Sequence, residues 1–324
     1  MPIMAHYDEY HAARTSAALR DAQASFRLYM CGADHLDFLH RMTSNDFHNL
    51  QIGYGLETVF IEQRARILDL ATCYRGPDAT ALILSPDSRA AIPAWLDRFI
   101  FTETLELTDQ TDETAMFELV GPHAAQLVTR VLNANLATFQ DHQLLDSQVA
   151  DDLWLARTAG PGLRTFGPPD AVKDLWQRLA TAGARPIDSK TWEILRVEQG
   201  LPLLGRELTQ NYNPWEAGLG RAIHLDKGCY IGQEVIARLD TYDKVKQHLV
   251  GLRLSVAELP PTGQPLRDGT REVGRITSAV HSPSLGPIAL AYVRRSACAE
   301  GTALDAGGPQ ATVVSLPFLL HESR

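Results

Sequence analysis

Apolar positions recur at two spacings along this chain, and the mixture changes near Lys246. Phe26 to Met42, FRLYMCGADHLDFLHRM, predicts strand, turn and helix. Asp34 stands at a helix-capping position, and Leu36, Leu39 and Met42 recur at helical spacing. Glu57 to Tyr74, ETVFIEQRARILDLATCY, predicts a hairpin of two apolar strands around the polar turn Gln63 to Arg66. DATALILSP predicts a strand and DSRAAIPAWLDRFIF a helix. MFELVGPHAAQLVTRVL gives a strand, a Gly-Pro turn and a helix. The stretch from Asp152 to Asp188 gives strands and then a helix, and SKTWEILRVEQG a short helix stopped by Gly200, with Pro202 beyond it. Hairpins mixed with single helices predict an α+β fold with mostly antiparallel sheet, since a parallel sheet would need regular βαβ alternation.

Beyond Lys246 the helical period disappears. QHLVGLRL, REVGRITSAVHS, IALAYVR and ATVVSLPF are short β-type runs separated by Pro/Gly turns, PPTGQP and SPSLGP. They predict a small all-β domain closed as a barrel. The expected organisation is therefore an α+β region over residues 1–245 and a β-barrel over 246–324. A chain of 324 residues exceeds one typical core, which agrees with more than one domain.

Composition narrows the function. Apolar residues make up 45% and charged residues 21%, which is globular. The net charge of -9 argues against broad nucleic-acid binding, while leaving room for an anionic ligand on a local basic cluster. Cys31, Cys73, Cys229 and Cys298 form no CxxC pair, so a zinc ribbon or dithiol motif is absent. Their wide spacing suggests a reducing compartment. The first residues lack a basic-then-apolar leader, and no apolar run is long enough to span a bilayer. A cytoplasmic protein with no membrane partner is expected.

Three residues stand out chemically. Cys229 lies in DKGCYIGQEVIARL, just ahead of a helix predicted to begin near Gly232. Helix N–H groups and Lys227 both favour a thiolate there, although a small buried thiol is the plain alternative. Glu198 borders the apolar stripe of its helix. It can accept two parallel N–H bonds from a flat aminopyrimidine-like edge, or pair with Arg196 or Arg221. Asp69 interrupts an apolar strand, and alternation against Leu68 and Leu70 reads most simply as a solvent-facing carboxylate. Arg64 and Arg66 read as solvated turn charges. Phosphate-loop, zinc-protease, nucleophile-elbow and calcium-loop spacings are missing, and GLGRAI is not a dinucleotide fingerprint. The histidines show no metal-ligand spacing with a cysteine, and His224 reads as structural, so no resident metal is expected. Cys229 could still lend one ligand to a shared or transient cluster.

The same residues carry a resemblance. Lys227 to Arg238, KGCYIGQEVIAR, resembles the KGCYxGQE-x-x-AR signature of the YgfZ family, folate-binding relatives of the glycine-cleavage T-protein, an aminomethyltransferase. DFLHRMTSNDFHNLQIGYG resembles the family's FLxxxxTNDxxxL stretch, with Ser44 in place of the usual threonine. LRVEQGLPLLGREL and NPWEAGLG resemble stretches shared with T-proteins. The resemblance implies two α+β lobes and a barrel around an opening for tetrahydrofolate or a one-carbon-substituted reduced folate. It implies Glu198 on the pterin edge, with Cys229 and Lys227 as the reactive pair. Asp69, Tyr230, Gln233, Glu234 and Arg238 would shape the ligand's surroundings. The expected partners are iron–sulfur client enzymes or cluster carrier proteins, and the expected role is cluster assembly or repair. In T-proteins a Gly-Gly turn precedes two consecutive aspartates, whereas here Gln63-Arg64-Ala65-Arg66 leads to the single Asp69. That departure argues against aminomethyl transfer, which stays open as an alternative beside a folate-responsive adaptor.

Overall fold

The computed structural model describes residues 2–134, 136, 139–145, 153–159, 162–255, 258–308 and 310–319, with side chains from residue 7. Asp152, at the head of one predicted strand, and the Gly160-Pro161 turn lie outside these. The chain divides into two compact units. The first holds Met1–Thr58, Leu70–Thr191 and Asp226–Tyr230; the second holds Val59–Asp69, Trp192–Leu225 and Ile231–Arg324.

The first half of the chain runs α1 (Pro2–Thr15), β1 (Ala18–Asp21), β2 (Phe26–Cys31), α2 (His35–Met42), β3 (Gly55–Ile61), β4 (Ile67–Arg75), β5 (Ala79–Leu84), α3 (Ala91–Asp97), β6 (Glu106–Asp109), β7 (Ala115–Val120) and α4 (Ala124–Leu132). It continues with β8 (Trp154–Arg157), β9 (Leu163–Gly167), α5 (Pro169–Thr181), β10 (Arg185–Ile187) and α6 (Ser189–Glu198). Helix α1 has no counterpart in the sequence reading, because its apolar positions form no stripe at helical spacing. Two five-stranded sheets result, ordered β10-β1-β7-β9-β8 and β3-β4-β5-β2-β6. The described pairings are antiparallel except β1 with β10.

Amphipathic helices cover the first sheet. Val172, Leu175 and Leu179 of α5 and Leu127 and Val128 of α4 bury against Leu19, Phe117, Leu119 and Leu155. Each such side chain removed from water contributes about 1.5–3 kcal/mol, which is why the periodicity was sufficient to find these helices. Asp34 occupies the N-cap position of α2 but makes no side-chain cap. Its carboxylate accepts the Thr104 N–H at 2.7 Å instead, tying the helix start to a neighbouring loop.

The second unit contains α7 (Gln233–Thr241) and strands β11 (Gln247–Leu254), β12 (Pro265–Asp268), β13 (Arg271–Ser282), β14 (Gly286–Arg294), β15 (Ala303–Asp305) and β16 (Gln310–Val314). These strands close as a barrel, β11-β14-β13-β12-β15-β16. Closure leaves no free edge, and alternate residues such as Leu252, Ile276, Ala291 and Val313 fill the interior. Among the described residues, no helix is long and apolar enough to cross a membrane.

Candidate functional site

Glu198 is the last residue of α6. The turn after it needs Gly200, whose φ is 69° and whose missing Cβ would meet Leu316 at 3.1 Å. Val197 packs with Val280, Ile288 and Leu290, which fixes the helix end against barrel strands. Glu198 is 0% exposed. Its Oε1 accepts the Ser282 hydroxyl proton, and Ser282 Oγ in turn accepts the N–H groups of Ser284 and Leu285. One β-turn thereby aims a hydroxyl at the carboxylate. Arg196, a partner considered for Glu198, is committed elsewhere. Its guanidinium lies 2.6 Å from Glu193 and 3.3 Å from Glu207, and it donates to Ser278 Oγ at 2.7 Å.

Asp69 faces inward, against the solvent-facing reading. It is 0% exposed on β4. Ile67, Asp69 and Ala71 form the buried face, and Leu68 and Leu70 the half-buried one. Alternation held, but the carboxylate took the side expected of the leucines. A buried carboxylate is costly unless it is hydrogen-bonded or paired, so Asp69 constrains what packs over this face of β4. Arg66 is not simply solvated either: its Nη1 donates to the Asn211 carbonyl at 2.8 Å and lies 3.9 Å from Glu216.

In the first unit, the Lys227–Tyr230 segment lies over the end of α2. Lys227 Nζ donates to the carbonyls of His40, Thr43 and Asn45, the last two at 2.7 and 2.6 Å. These include carbonyls that a helix C-terminus leaves unpaired, and a cation suits that end of the dipole. Burial pulls the Lys227 ammonium down to about 7, partly opposed by Asp46. The Tyr230 ring centroid is 4.7 Å from Nζ. Burial pushes the Tyr230 phenol up to about 12, and its buried hydroxyl has no hydrogen-bond partner among the described residues. Lys227 and Tyr230 are buried, while Gly228 and Cys229 between them are exposed. Cys229 is a free thiol presented on a short strap anchored at both ends.

Histidines beside this strap escaped the sequence reading. His40 and His48 stack in parallel with centroids 3.7 Å apart, and His40 Nδ1 lies 3.1 Å from Asp46 Oδ1. One ligand atom from each of His40, Asp46 and His48 falls within 4.8 Å of the others. Burial, Lys227 and His48 all lower the His40 pKa and favour neutral imidazole. Asp46 Oδ1 already accepts the His48 N–H at 2.9 Å, so its first task is to shape this loop. The signal available in sequence was the spacing His40, Asp46, His48, which involves no cysteine. His224 lies exposed in a loop.

The helix predicted near Gly232 is α7, with Gly232 at its N-cap. Gly232 has φ 81°, and a Cβ there would sit 2.8 Å from the Glu62 carbonyl and 2.9 Å from Ile61. Glycine is required because the backbone touches the β3–β4 turn. In that turn Ala65, also buried, has φ 55°, a conformation normally left to glycine. Trp215 Nε1 donates to the Ile236 carbonyl, joining the NPWEAGLG stretch to α7. Gln233 is half-buried, and Glu234 and Arg238 are exposed on α7. The sequence candidates thus divide: Lys227, Cys229 and Tyr230 lie in the first unit, and Asp69, Glu198, Gln233, Glu234 and Arg238 in the second. Ser282, which holds Glu198, carried no sequence signal because it lies 84 residues away.

Two lobes of mixed sheet and helix followed by a closed six-stranded barrel are the fold of glycine-cleavage T-proteins. Residues 4–227 match the GCVT N-terminal domain, and residues 247–319 match the glycine cleavage T-protein C-terminal barrel domain. The chain belongs to this T-protein family. It is 34% identical over 304 residues to an Arabidopsis thaliana protein named "putative transferase, chloroplastic", covering 91% of this chain and 70% of that one. It is 31% identical to an aminomethyltransferase of Herpetosiphon aurantiacus over 324 residues, 96% of this chain and 89% of the relative. The crystal structure of glycine cleavage system aminomethyltransferase T from Bartonella henselae superimposes with a TM-score of 0.86 at 24% identity, over 97% of this chain and 89% of that one. That likeness establishes the shared fold.

Proposed function

We propose that this protein binds a reduced folate and supports assembly or repair of iron–sulfur clusters in client enzymes, in the manner of the YgfZ branch of the T-protein family. The observation that carries the reading is the strap. Lys227 and Tyr230 are buried on either side of an exposed free thiol, Cys229, so the sulfur is held out at a fixed place. A thiol so presented suits transient ligation of iron, with the remaining ligands supplied by the partner, or a thiol–disulfide exchange with a partner's disulfide. Glu198, buried and oriented by Ser282, is the group assigned to the pterin edge, where a carboxylate can receive two parallel N–H bonds. Asp69 would border the same ligand, and Gln233, Glu234 and Arg238 would shape the rim.

A second reading has its own support. The relatives named aminomethyltransferase align over nearly the whole chain, and Asp69 is buried on β4 like a group kept for chemistry. Under that reading the protein transfers an aminomethyl carbon to tetrahydrofolate with a lipoyl-carrier partner. One assay tests what the readings share, and a second separates them. Titration with tetrahydrofolate should saturate in both. A glycine-cleavage assay with the other components supplied should form no methylenetetrahydrofolate under the first reading, and steady formation would replace it with the second. A third outcome, client binding that responds to folate but ignores Cys229, would reduce the protein to a folate-responsive adaptor.

A further inference from the structure

The second unit contains a cavity of about 790 Å³ whose lining differs in sign from the chain as a whole. Six cations line it: Arg66, Lys244, Lys246, Arg271, Arg294 and Arg295. Among the described residues two carboxylates do, Glu216 and Asp243. The chain's net charge is -9, so this concentration of cations is local. Screening over about 8 Å in physiological salt lets the near cations, not the distant excess of acids, set the field inside the cavity.

Both carboxylates are already engaged. Asp243 pairs with Arg295. Glu216 is buried, accepts the Asn213 N–H at 3.1 Å and has Arg66 at 3.9 Å. Burial raises the Glu216 pKa, while Arg66 and Lys246 oppose the rise. Lys244, Lys246, Arg271 and Arg294 have no carboxylate within ion-pair distance among the described residues. Four cations facing one space repel each other, an arrangement that an anion relieves.

The cations come from separate segments, and hydrogen bonds join several of them. The Arg295 N–H donates to the Lys246 carbonyl at 2.9 Å, and Arg295 Nη1 to the Asp243 carbonyl at 2.6 Å. Gln247 pairs with Arg294 across the β11–β14 ladder. Arg66 is held by Asn211, and the Leu249 N–H reaches the Glu216 carbonyl at 2.8 Å. These contacts hold the Arg66 and Arg295 side chains and the backbone carrying Lys246 and Arg294, while the side chains of Lys244, Lys246, Arg271 and Arg294 are exposed and open to a ligand.

We propose that this cavity is a binding site for a small polyanion, a molecule carrying two or more phosphate or carboxylate groups. Guanidinium groups at Arg271 and Arg294 can each give paired N–H donors to one acidic group, while Lys244 and Lys246 act as point charges. A volume of this size is that of a small-molecule site. Membranes and nucleic acids call for extended basic faces, whereas these six cations line one open pocket. Glu198 does not line it, so the site is separate from the one assigned to folate.

The test is calorimetric titration of the full chain with inorganic tripolyphosphate, with citrate, and with acetate as a monovalent control. Tripolyphosphate or citrate should bind saturably with one equivalent, and the tighter of the two names phosphate or carboxylate as the preferred group. Raising salt from about 50 to about 300 mM should weaken binding about tenfold. Arg271→Glu with Arg294→Glu should weaken it about thirtyfold or more, and Lys173→Glu, an exposed charge outside the cavity, by less than about twofold. Should the double reversal fail to fold, Arg271→Gln with Arg294→Gln removes the donors at lower risk and should weaken binding about tenfold. Glu198→Gln should leave tripolyphosphate binding unchanged even if folate binding is lost, so failure of the two sites is distinguishable. No saturable binding of either polyanion, acetate binding as well as citrate, or equal losses in the cavity variant and in Lys173→Glu would overturn the proposal.

Discussion

Ser282 Oγ donates its proton to Glu198 Oε1, and both side chains are shut away from water. The residues lie 84 positions apart, at the end of α6 and the end of β13, and backbone N–H groups on Ser282 fix the direction of the bond. A buried carboxylate is expensive, and the Ser282 hydroxyl holds this one in a defined orientation, as the proposed ligand role requires.

Glu198→Gln preserves the shape and can still accept from Ser282. It loses the charge that strengthens paired N–H bonds. Tetrahydrofolate affinity should fall about 10- to 100-fold, that is by about 1.4–3 kcal/mol, with thermal stability nearly unchanged. Fluorescence titration of the two proteins checks this, and affinities within twofold of each other would remove Glu198 from the ligand.

Lys227 makes stability depend on pH. Burial lowers it from its ordinary 10.5 to about 7. Below about pH 7 both folded and unfolded chains hold the proton, and no slope arises. Between about 7 and 10.5 the unfolded chain keeps a proton that the folded chain has released, so this group's contribution rises with pH, on the order of a few kcal/mol at most. Lys227→Met removes that rise and leaves three carbonyls without their donor. The stability advantage of wild type over Lys227→Met, from urea unfolding at several pH values, should therefore widen from pH 7 to pH 10. A constant or shrinking gap would contradict the assignment.

Gly232 and Gly218 both have positive φ, 81° and 71°. Only Gly232 has backbone in the way, with the Glu62 carbonyl 2.8 Å from the Cβ position; Gly218 has open space. Gly218→Ala should cost about 1 kcal/mol from conformation alone, and Gly232→Ala about 2–4 kcal/mol because the β3–β4 turn must also move. Equal midpoints in urea would mean that the close approach carries no energy.

The elements legible in the sequence are those with strong periodicity. Helices α2, α5 and α7, the β3–β4 hairpin and barrel strands β11, β13, β14 and β16 follow from apolar spacing and Gly/Pro punctuation, whereas the short strands β12 and β15 carry too few apolar positions to show a period. Helix α1 shows no such stripe, so its sequence carries no helical signal. Local propensity also does not tell which face of β4 is inside, because the burial of Asp69 depends on what packs over the strand. Cys229 was legible as an unusual thiol because glycines and Lys227 surround it. The carbonyl cradle that holds Lys227 and the hydroxyl that holds Glu198 were not, because each joins segments far apart in sequence. The basic cavity was hidden for the same reason, its cations being spread from Arg66 to Arg295.

The most direct test of the proposed role is iron–sulfur client activity in cells lacking this protein, restored with wild type or with Cys229→Ser at matched levels. Cys229 is exposed, so the exchange of sulfur for oxygen leaves the core untouched. Wild type should restore client activity, and Cys229→Ser should fail to while still binding tetrahydrofolate. Full rescue by Cys229→Ser would contradict the central claim that the strap exists to present a reactive thiol.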